Sequence, residues 1–539
     1  MRRQIFETLT LEKIVGGGQA LGTLADGRKC FVWGGLPGET ATVRITKKKS
    51  HFVEAIVEGV ISPSPDRIQP RDPDSYLSTS PWQIMPLEIE QACKRQLIDD
   101  AFTLHNVALP AAIDIYCNNV AYGYRNKVEF SWYSESVVSR AVSQKKSGLA
   151  YVGPGLFYDD TRGVNADSDR EESSGDTLDL AFFRRGSKGK IVVDGTSLAR
   201  PEINELARAV RDLLRRKNIS AHQLKTLLIR CNQQGNCVWQ LYTKDRLPEI
   251  ITADEAAKLP AQGGKIIYSD PRSPASRITE RLAHFGDTTL TDTILGVPFR
   301  YACEGFFQVN IPVYEKALRD MQQWTGRDYS DQQRVISQKK SGQHGTNSQH
   351  GSSNSFSEGF AFPASVRQER QLDQLAARRP EEKDVCETGE PTLDLYAGVG
   401  TIGLTIASGN VTLVEINEHA VAEMQRNITE LDRTDARAVL APSEQALNYI
   451  TGKEIVIVDP PRAGLHTDVI ATLLQKLPPR IIYLSCNPVT QARDVSLLQE
   501  KYEIIHHQGY NFFPRTPHIE HLVILDNKSA STLTLNAEH

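Results

Sequence analysis

No apolar run in the 539-residue chain approaches the roughly 20 residues that cross a bilayer, so no membrane partner is expected. The first residues, Met1-Arg2-Arg3-Gln4-Ile5-Phe6-Glu7, lack the apolar core of a signal peptide, and a cytoplasmic protein is expected. Charge of one sign is also scarce. A net of −4 excludes binding of nucleic acid by the whole chain's field and leaves only a local basic surface for that purpose. Cysteine is sparse: Cys30, Cys93, Cys117, Cys231, Cys237, Cys303, Cys386 and Cys486 are scattered, and none forms a C-x-x-C pair. That spacing argues against a disulfide framework and gives no support to a structural zinc or cluster. The closest two, Cys231 and Cys237, bracket Gln233-Gln234-Gly235-Asn236, which reads as a hairpin turn. What is present is an ordinary globular composition, 40% hydrophobic and 24% charged. The length suits roughly three domains.

Residues 1–68 read as short strands broken by glycine. Lys29–Trp33, Ala41–Ile45 and Phe52–Val60 are strand-forming, and Gly34-Gly35-Leu36-Pro37-Gly38 is a turn. This spacing predicts a small OB-like β barrel. Lys47-Lys48-Lys49 sits between two of its strands, where it either faces phosphates or is a solvated turn. Prolines 63, 65, 70 and 73 mark a linker. A central α+β domain follows over 75–300. It opens on helical spacing at Leu87–Leu104 and has basic and aromatic residues interleaved at Tyr122–Trp132 and Ala181–Lys188. Such interleaving suits base stacking with phosphate contact, though an ordinary amphipathic sheet has the same look. The polar stretches at about 134–177 and 326–389 are too poor in apolar groups to pack and read as flexible insertions. Both contain Ser-Gln-Lys-Lys-Ser-Gly, at 143–148 and 337–342, a coincidence without a physical account. The last domain, 301–539, alternates strands with helices, which predicts an α/β, doubly wound, Rossmann-like sheet.

Four motifs fall at strand ends of that sheet. Gly398-Val399-Gly400-Thr401-Ile402-Gly403 follows a strand and opens a helix, the context in which G-x-G-x-x-G cradles a nucleotide-like ligand. Glu415 closes the next strand, at the place where an acidic residue bonds ribose hydroxyls. Together they point to a dinucleotide or to S-adenosylmethionine. Asp459-Pro460-Pro461-Arg462 ends a third strand in a loop stiffened by its prolines. An Asp-Pro-Pro turn also suits methylation of an amino group. Ser485-Cys486-Asn487-Pro488 stops a fourth strand at a thiol, either a nucleophile or an inert buried cysteine. Finally, His518-Ile519-Glu520-His521 precedes the last apolar strand. His518 and Glu520 share a face there, and a single carboxylate base fits this arrangement better than a metal does.

In that order, Asp394-Leu395-Tyr396-Ala397-Gly398-Val399-Gly400, Asp459-Pro460-Pro461-Arg462, Ser485-Cys486-Asn487-Pro488 and His518-Ile519-Glu520 resemble the RNA uracil-5-methyltransferase family. Phe306-Phe307-Gln308-Val309-Asn310 resembles that family's glutamine motif, and the N-terminal barrel resembles the TRAM domain of its rRNA-modifying members. The resemblance implies S-adenosylmethionine as cofactor, contacted by Gln308, Tyr396, Glu415 and Asp459, to which the glycine loop adds Gly398 and Gly400. It makes Cys486 the nucleophile and Glu520 the general base. It implies RNA as the partner, with 23S rRNA favoured over tRNA because of the barrel; a monomer is expected. The chain departs from the family in one respect. Many members hold an iron–sulfur cluster with three cysteines just after the barrel, where this chain reads Ser75-Tyr76-Leu77-Ser78-Thr79-Ser80-Pro81-Trp82-Gln83. The fourth position falls near Thr196, and no cluster is expected. Two competing readings remain: an amino-group methyltransferase, which leaves Cys486 and Glu520 without a task, and a non-catalytic RNA-binding protein that keeps the fold.

Overall fold

The computed structural model describes residues 5–135, 177–325 and 389–529. Apart from their edges, the two polar insertions and their shared hexapeptide lie outside the described residues. Strands β1 (Phe6–Ile14), β2 (Ala20–Thr23), β3 (Lys29–Trp33), β4 (Thr40–Lys48) and β5 (Phe52–Ser62) form a closed barrel in the order β1-β2-β3-β5-β4. Alternate residues such as Cys30, Val32, Ala41, Val43, Val53 and Ala55 point inward and are fully buried, the period of two that a half-buried strand requires. Trp82, Ile84 and Met85 of the following segment complete this core.

Helix α1 (Tyr76–Thr79) is a single turn, and α2 (Leu87–Leu104) matches the helical spacing of its sequence end to end. Glu88 and Glu90 fall in the first turn of α2, where the helix dipole favours carboxylates. Strand β6 (Ile115–Tyr116) leaves this region and pairs with the C-terminal sheet. The central sheet comprises β7 (Lys127–Glu135), β8 (Thr177–Phe183), β9 (Lys190–Val192), β10 (Leu224–Cys231), β11 (Cys237–Thr243), β12 (Gly263–Tyr268) and β13 (Glu280–Gly286). Its order is β13-β12-β11-β10-β7-β8-β9. Helices α3 (Pro201–Arg216) and α4 (Ala253–Ala256) belong to this part of the chain, and Leu206, Leu214, Trp132 and Trp239 share its core.

Two aromatic-basic segments differ from their sequence expectation. Tyr122–Asn126 is not strand: Gly123 takes φ 66°, and Asn126 donates from Nδ2 to the Gln308 carbonyl at 2.9 Å. β8 stops at Phe183, because Arg184 and Gly189 close a turn (2.8 Å) that carries Arg185 at its tip. In both places the basic residues stand on loops rather than in a ladder.

The hairpin β14 (Thr289–Ile294) and β15 (Val297–Ala302) leads to α5 (Ile311–Gln322). The C-terminal sheet then runs β16 (Thr392–Leu395), α6 (Thr401–Ile406), β17 (Val411–Glu415), α7 (Glu418–Glu430), β18 (Ala436–Leu440), β19 (Ile455–Val458), α8 (Thr467–Lys476), β20 (Arg480–Ser485), α9 (Pro488–Leu498), β21 (Tyr502–Tyr510) and β22 (Glu520–Asn527). The sheet order is β18-β17-β16-β19-β20-β22-β21-β6. β16 to β20 are parallel, and β22 enters antiparallel between β20 and β21. The order reverses between β16 and β19, which opens a crevice at their carboxyl ends, where open α/β sheets bind ligands. Apolar layers cover both faces, with Leu413, Ile457 and Ile482 on one side and Val414, Val456 and Ile481 on the other. The fold is therefore mixed α/β with an N-terminal barrel, as the sequence pattern implies.

Candidate active site

At that crevice lies a cleft of about 1310 Å³. Its wall includes Gln308, Tyr396, Gly398, Glu415, Asp459, Cys486 and Glu520. Seven of the eight residues singled out in the sequence thus meet in one space, although they come from six different segments. The eighth, Gly400, is buried and caps α6 instead.

The glycine loop explains the approach. Tyr396, Gly398 and Gly400 all take left-handed φ values of 67°, 58° and 87°, which turns the chain sharply out of β16 into α6. Open space lies where a Cβ on Gly398 would stand, whereas a Cβ on Gly403 would come within 2.5 Å of Leu413 and 2.9 Å of Asp394. The first glycine leaves room for a ligand and the last permits close packing of helix on strand. Glu415 braces the loop: Oε2 accepts from the Gly398 N–H at 3.0 Å and Oε1 from the Asn417 N–H at 2.8 Å. Beside it Ile416 is exposed in the cleft wall, an apolar surface that suits a purine face. Tyr396 is held by the Ser443 hydroxyl at 2.8 Å. These groups fit a nucleoside-bearing cofactor.

Cys486 follows the last residue of β20. Ser485 pairs with His521 in β22, so the next step in register sets Cys486 beside Glu520. Asn487 caps α9, accepting from the Val489 N–H at 3.2 Å, and its Nδ2 donates to the Arg462 carbonyl at 2.9 Å. The thiol loop is thereby tied to the Asp-Pro-Pro-Arg loop.

The surroundings of the thiol are rich in carboxyl groups. Burial pushes the Cys486 thiol up to about 11, with the Glu520 and Asp459 carboxylates adding to the rise and the Arg462 guanidinium opposing it. Burial likewise raises Asp459 to about 7 and holds Glu520 well above the usual carboxyl range, the nearby Asp459 adding to the latter. His518 is depressed to about 4 by burial and by the Arg462 charge, so its ring is neutral and faces the Arg462 guanidinium 3.2 Å from Nδ1. Arg462 is therefore the one cation set directly against the thiol among the groups that shift it. The sequence shows the stiff loop that carries Arg462 but no task for it, because its partners His518 and Cys486 are remote in the chain.

The far wall of the cleft comes from the central sheet and its loops: Arg125, Arg185, Lys265 and Arg281 line it, together with the exposed ring of Phe306. Arg185 stacks 4.1 Å from the Trp33 ring of the barrel. The interleaved sequence segments were the signal for two of these four.

At the positions where the family's cluster cysteines would stand, the donors do not fit such a group. Asp72 Oδ2 accepts from Gln83 Nε2 (3.1 Å), Thr196 Oγ1 (3.1 Å) and Ser197 Oγ (2.9 Å), and Gln83 also donates to Ser80 Oγ (2.6 Å). Carboxylate, hydroxyl and amide groups there satisfy one another. Among the described residues no group of three or more His, Cys, Asp or Glu side chains is placed to hold a metal ion.

A family model described as tRNA (Uracil-5-)-methyltransferase matches residues 383–528, which contain the glycine loop, Asp459, Cys486 and Glu520. The resemblance to the RNA uracil-5-methyltransferase family is borne out. An uncharacterized RNA methyltransferase of Nitratidesulfovibrio vulgaris is 25% identical over 549 residues, covering 96% of both chains. One from Halalkalibacterium halodurans is 24% identical, covering 96% of this chain and 95% of the other. Among solved structures, the Pyrococcus abyssi tRNA (uracil-54, C5)-methyltransferase in complex with S-adenosyl-L-homocysteine is similar in fold. It has a TM-score of 0.61 and 17% identity, covering 96% of this chain and all of that one.

Proposed function

We propose that the protein methylates carbon-5 of a uridine in RNA, with S-adenosylmethionine as donor and Cys486 as covalent nucleophile. The observation that carries this reading is the convergence of Cys486 and Glu520 on one cleft with the glycine loop and Glu415. An amino-group methyltransferase needs the Asp-Pro-Pro turn but no thiol and no second carboxylate.

Carbon-5 of uracil is too weak a nucleophile to be methylated directly, and covalent catalysis divides the problem. The Cys486 sulfur adds at carbon-6, forming the S–C6 bond and moving an electron pair toward the O4 enolate. The thiol proton leaves to solvent, and Arg462 stabilises the sulfur's developing charge in a site otherwise rich in carboxyls. When bound, S-adenosylmethionine supplies the electrophilic methyl that carbon-5 takes up. Glu520 then removes the carbon-5 proton, the C5–C6 double bond re-forms and the thiolate departs. A raised Glu520 is a stronger base once ionised, which suits that proton transfer. Gln308, Tyr396, Glu415 and Asp459, with the backbone at Gly398, hold the cofactor in this reading. The basic wall and the barrel, about residues 1–68, receive RNA, and the target base must leave its stack to reach Cys486. The barrel favours 23S rRNA over tRNA, and the site of action is the cytoplasm.

The test uses 23S rRNA and tRNA transcripts with 5-fluorouridine in place of uridine. Fluorine cannot leave as a proton, so a covalent protein–RNA adduct should accumulate in the presence of cofactor, and Cys486→Ala should abolish it. Absence of an adduct with the wild-type protein, or its persistence in Cys486→Ala, sinks the proposal. An adduct with only the tRNA transcript reassigns the substrate.

A further inference from the structure

The turn between β21 and β22, residues Asn511–Ile519, sets where Glu520 enters the sheet and lines the cleft with Phe513, Thr516 and His518. It is held from below by an ion pair with no exposure at all. Lys94 Nζ on α2 donates to Glu90 Oε1 at 2.9 Å, to Asn511 Oδ1 at 2.6 Å and to the Phe513 carbonyl at 3.3 Å. Glu90 accepts from Asn511 Nδ2 and from the Arg515 N–H, each at 2.9 Å. Two charges from one helix thus bind three residues of the turn, more than 400 positions further along the chain. Other groups finish the frame. Tyr124 donates to the Pro514 carbonyl (3.0 Å), Asn310 to the Phe512 carbonyl (3.2 Å) and the Trp82 N–H to the Arg515 carbonyl (3.1 Å). On the barrel side Gly18, with φ 87°, lies so close that an added Cβ would strike Pro517.

A buried ion pair is a poor source of net stability, because two desolvated charges roughly cancel their attraction. Its value is geometric. Here two of the three Lys94 hydrogen bonds, and both Glu90 carboxylate oxygens, are spent on the turn that delivers the carboxylate.

We propose that Glu90 and Lys94 are positioning residues for the general base: they fix the Asn511–Pro517 turn and so aim Glu520 at carbon-5 of the bound uridine. The inference rests on the function proposed above and adds a consequence for one step only. Loss of the pair should slow release of the RNA adduct, the step that needs Glu520, while cofactor binding and attack by Cys486 continue.

The test uses the full chain with Glu90→Gln and Lys94→Met combined, which removes both charges and leaves neither stranded. S-adenosylhomocysteine affinity is measured by calorimetry, and adduct formation and decay are followed on denaturing gels with an ordinary-uridine transcript that the wild-type protein traps in its 5-fluorouridine form. The double variant should bind S-adenosylhomocysteine within about twofold of wild type and release the adduct at least tenfold more slowly, as Glu520→Gln should. Gly18→Ala, which presses on the turn without touching a charge, should give the same signature to a smaller degree and decides the matter if the double variant does not fold. Wild-type release in a folded variant overturns the proposal. So does a parallel loss of cofactor binding, adduct formation and release, the mark of a merely structural role. Failure of the wild-type protein to form the 5-fluorouridine adduct would instead remove the underlying reading.

Discussion

At the scale of single residues, burial beneath the glycine loop disfavours ionisation of Asp394. Asp394 has no exposure, accepts one hydrogen bond from the Gly403 N–H (2.8 Å), and leaves Oδ1 without a partner. Burial raises it to about 8. A carboxyl raised in the folded state binds its proton more tightly than in the unfolded chain. The stability this contributes is full below about pH 4, the unfolded value, and is lost as pH rises through about 8. Asp394→Asn keeps an acceptor for Gly403 and removes the titration. The variant should therefore gain thermal stability relative to wild type on going from pH 5 to pH 9, by several degrees in midpoint. An equal pH dependence of the two unfolding midpoints would show that Asp394 is not held neutral. The same comparison marks how far single residues could be read from sequence. Cys486, Glu520, Asp459 and Glu415 announced themselves by residue type at strand ends. Their ionisation did not, because it depends on neighbours that only the fold assembles. The thiol's surroundings are acid-rich, and Arg462, its cationic neighbour, is identified only through space.

At the scale of elements, helix α6 approaches β16 through Gly403, whose missing Cβ leaves contact distances of 2.5 Å to Leu413 and 2.9 Å to Asp394 for any larger side chain. Both neighbours are in the core, so neither can swing aside cheaply. Gly403→Ala should lift the helix, break the Asp394–Gly403 hydrogen bond and cost about 1–3 kcal/mol. Because α6 begins at the glycine loop, S-adenosylhomocysteine affinity should fall with it. Denaturant unfolding and calorimetry read the two effects, and an undiminished affinity would detach the helix start from the ligand site. Elements of this kind were the most legible part of the chain. Period and punctuation sufficed for α2, whose ends coincide with its sequence pattern, and for β16, β17, β19 and β20. They failed at Tyr122–Asn126 and Arg184–Gly189. There strand-like composition is overridden by tertiary bonds to Gln308 and by a turn docked on the barrel.

At the scale of the whole molecule, a net charge of −4 leaves little long-range pull on RNA, so any electrostatic capture must be concentrated. Four cations, Arg125, Arg185, Lys265 and Arg281, line the same cleft as Asp459 and Glu520, and Glu304 pairs with two of them. If RNA binds as proposed, its phosphates should meet these four cations and its uncharged base the floor. Sequence patterning gave local hints of this cluster but could not bring Lys265 and Arg281 to it, since β12 and β13 reach the cleft only through the sheet order. Arg281 offers the cleanest test. It is exposed, lines the cleft and makes only a partly solvated contact with Glu304 at 3.3 Å, so its loss should leave the fold intact. Arg281→Ala should weaken RNA binding by about 3- to 10-fold at moderate salt. It should also lower the slope of log affinity against log salt by about one, the signature of one lost phosphate contact. S-adenosylhomocysteine affinity should not change. Fluorescence anisotropy across a salt series separates the outcomes: an unchanged slope would mean that Arg281 meets no phosphate and that the RNA backbone runs along a different face of the molecule.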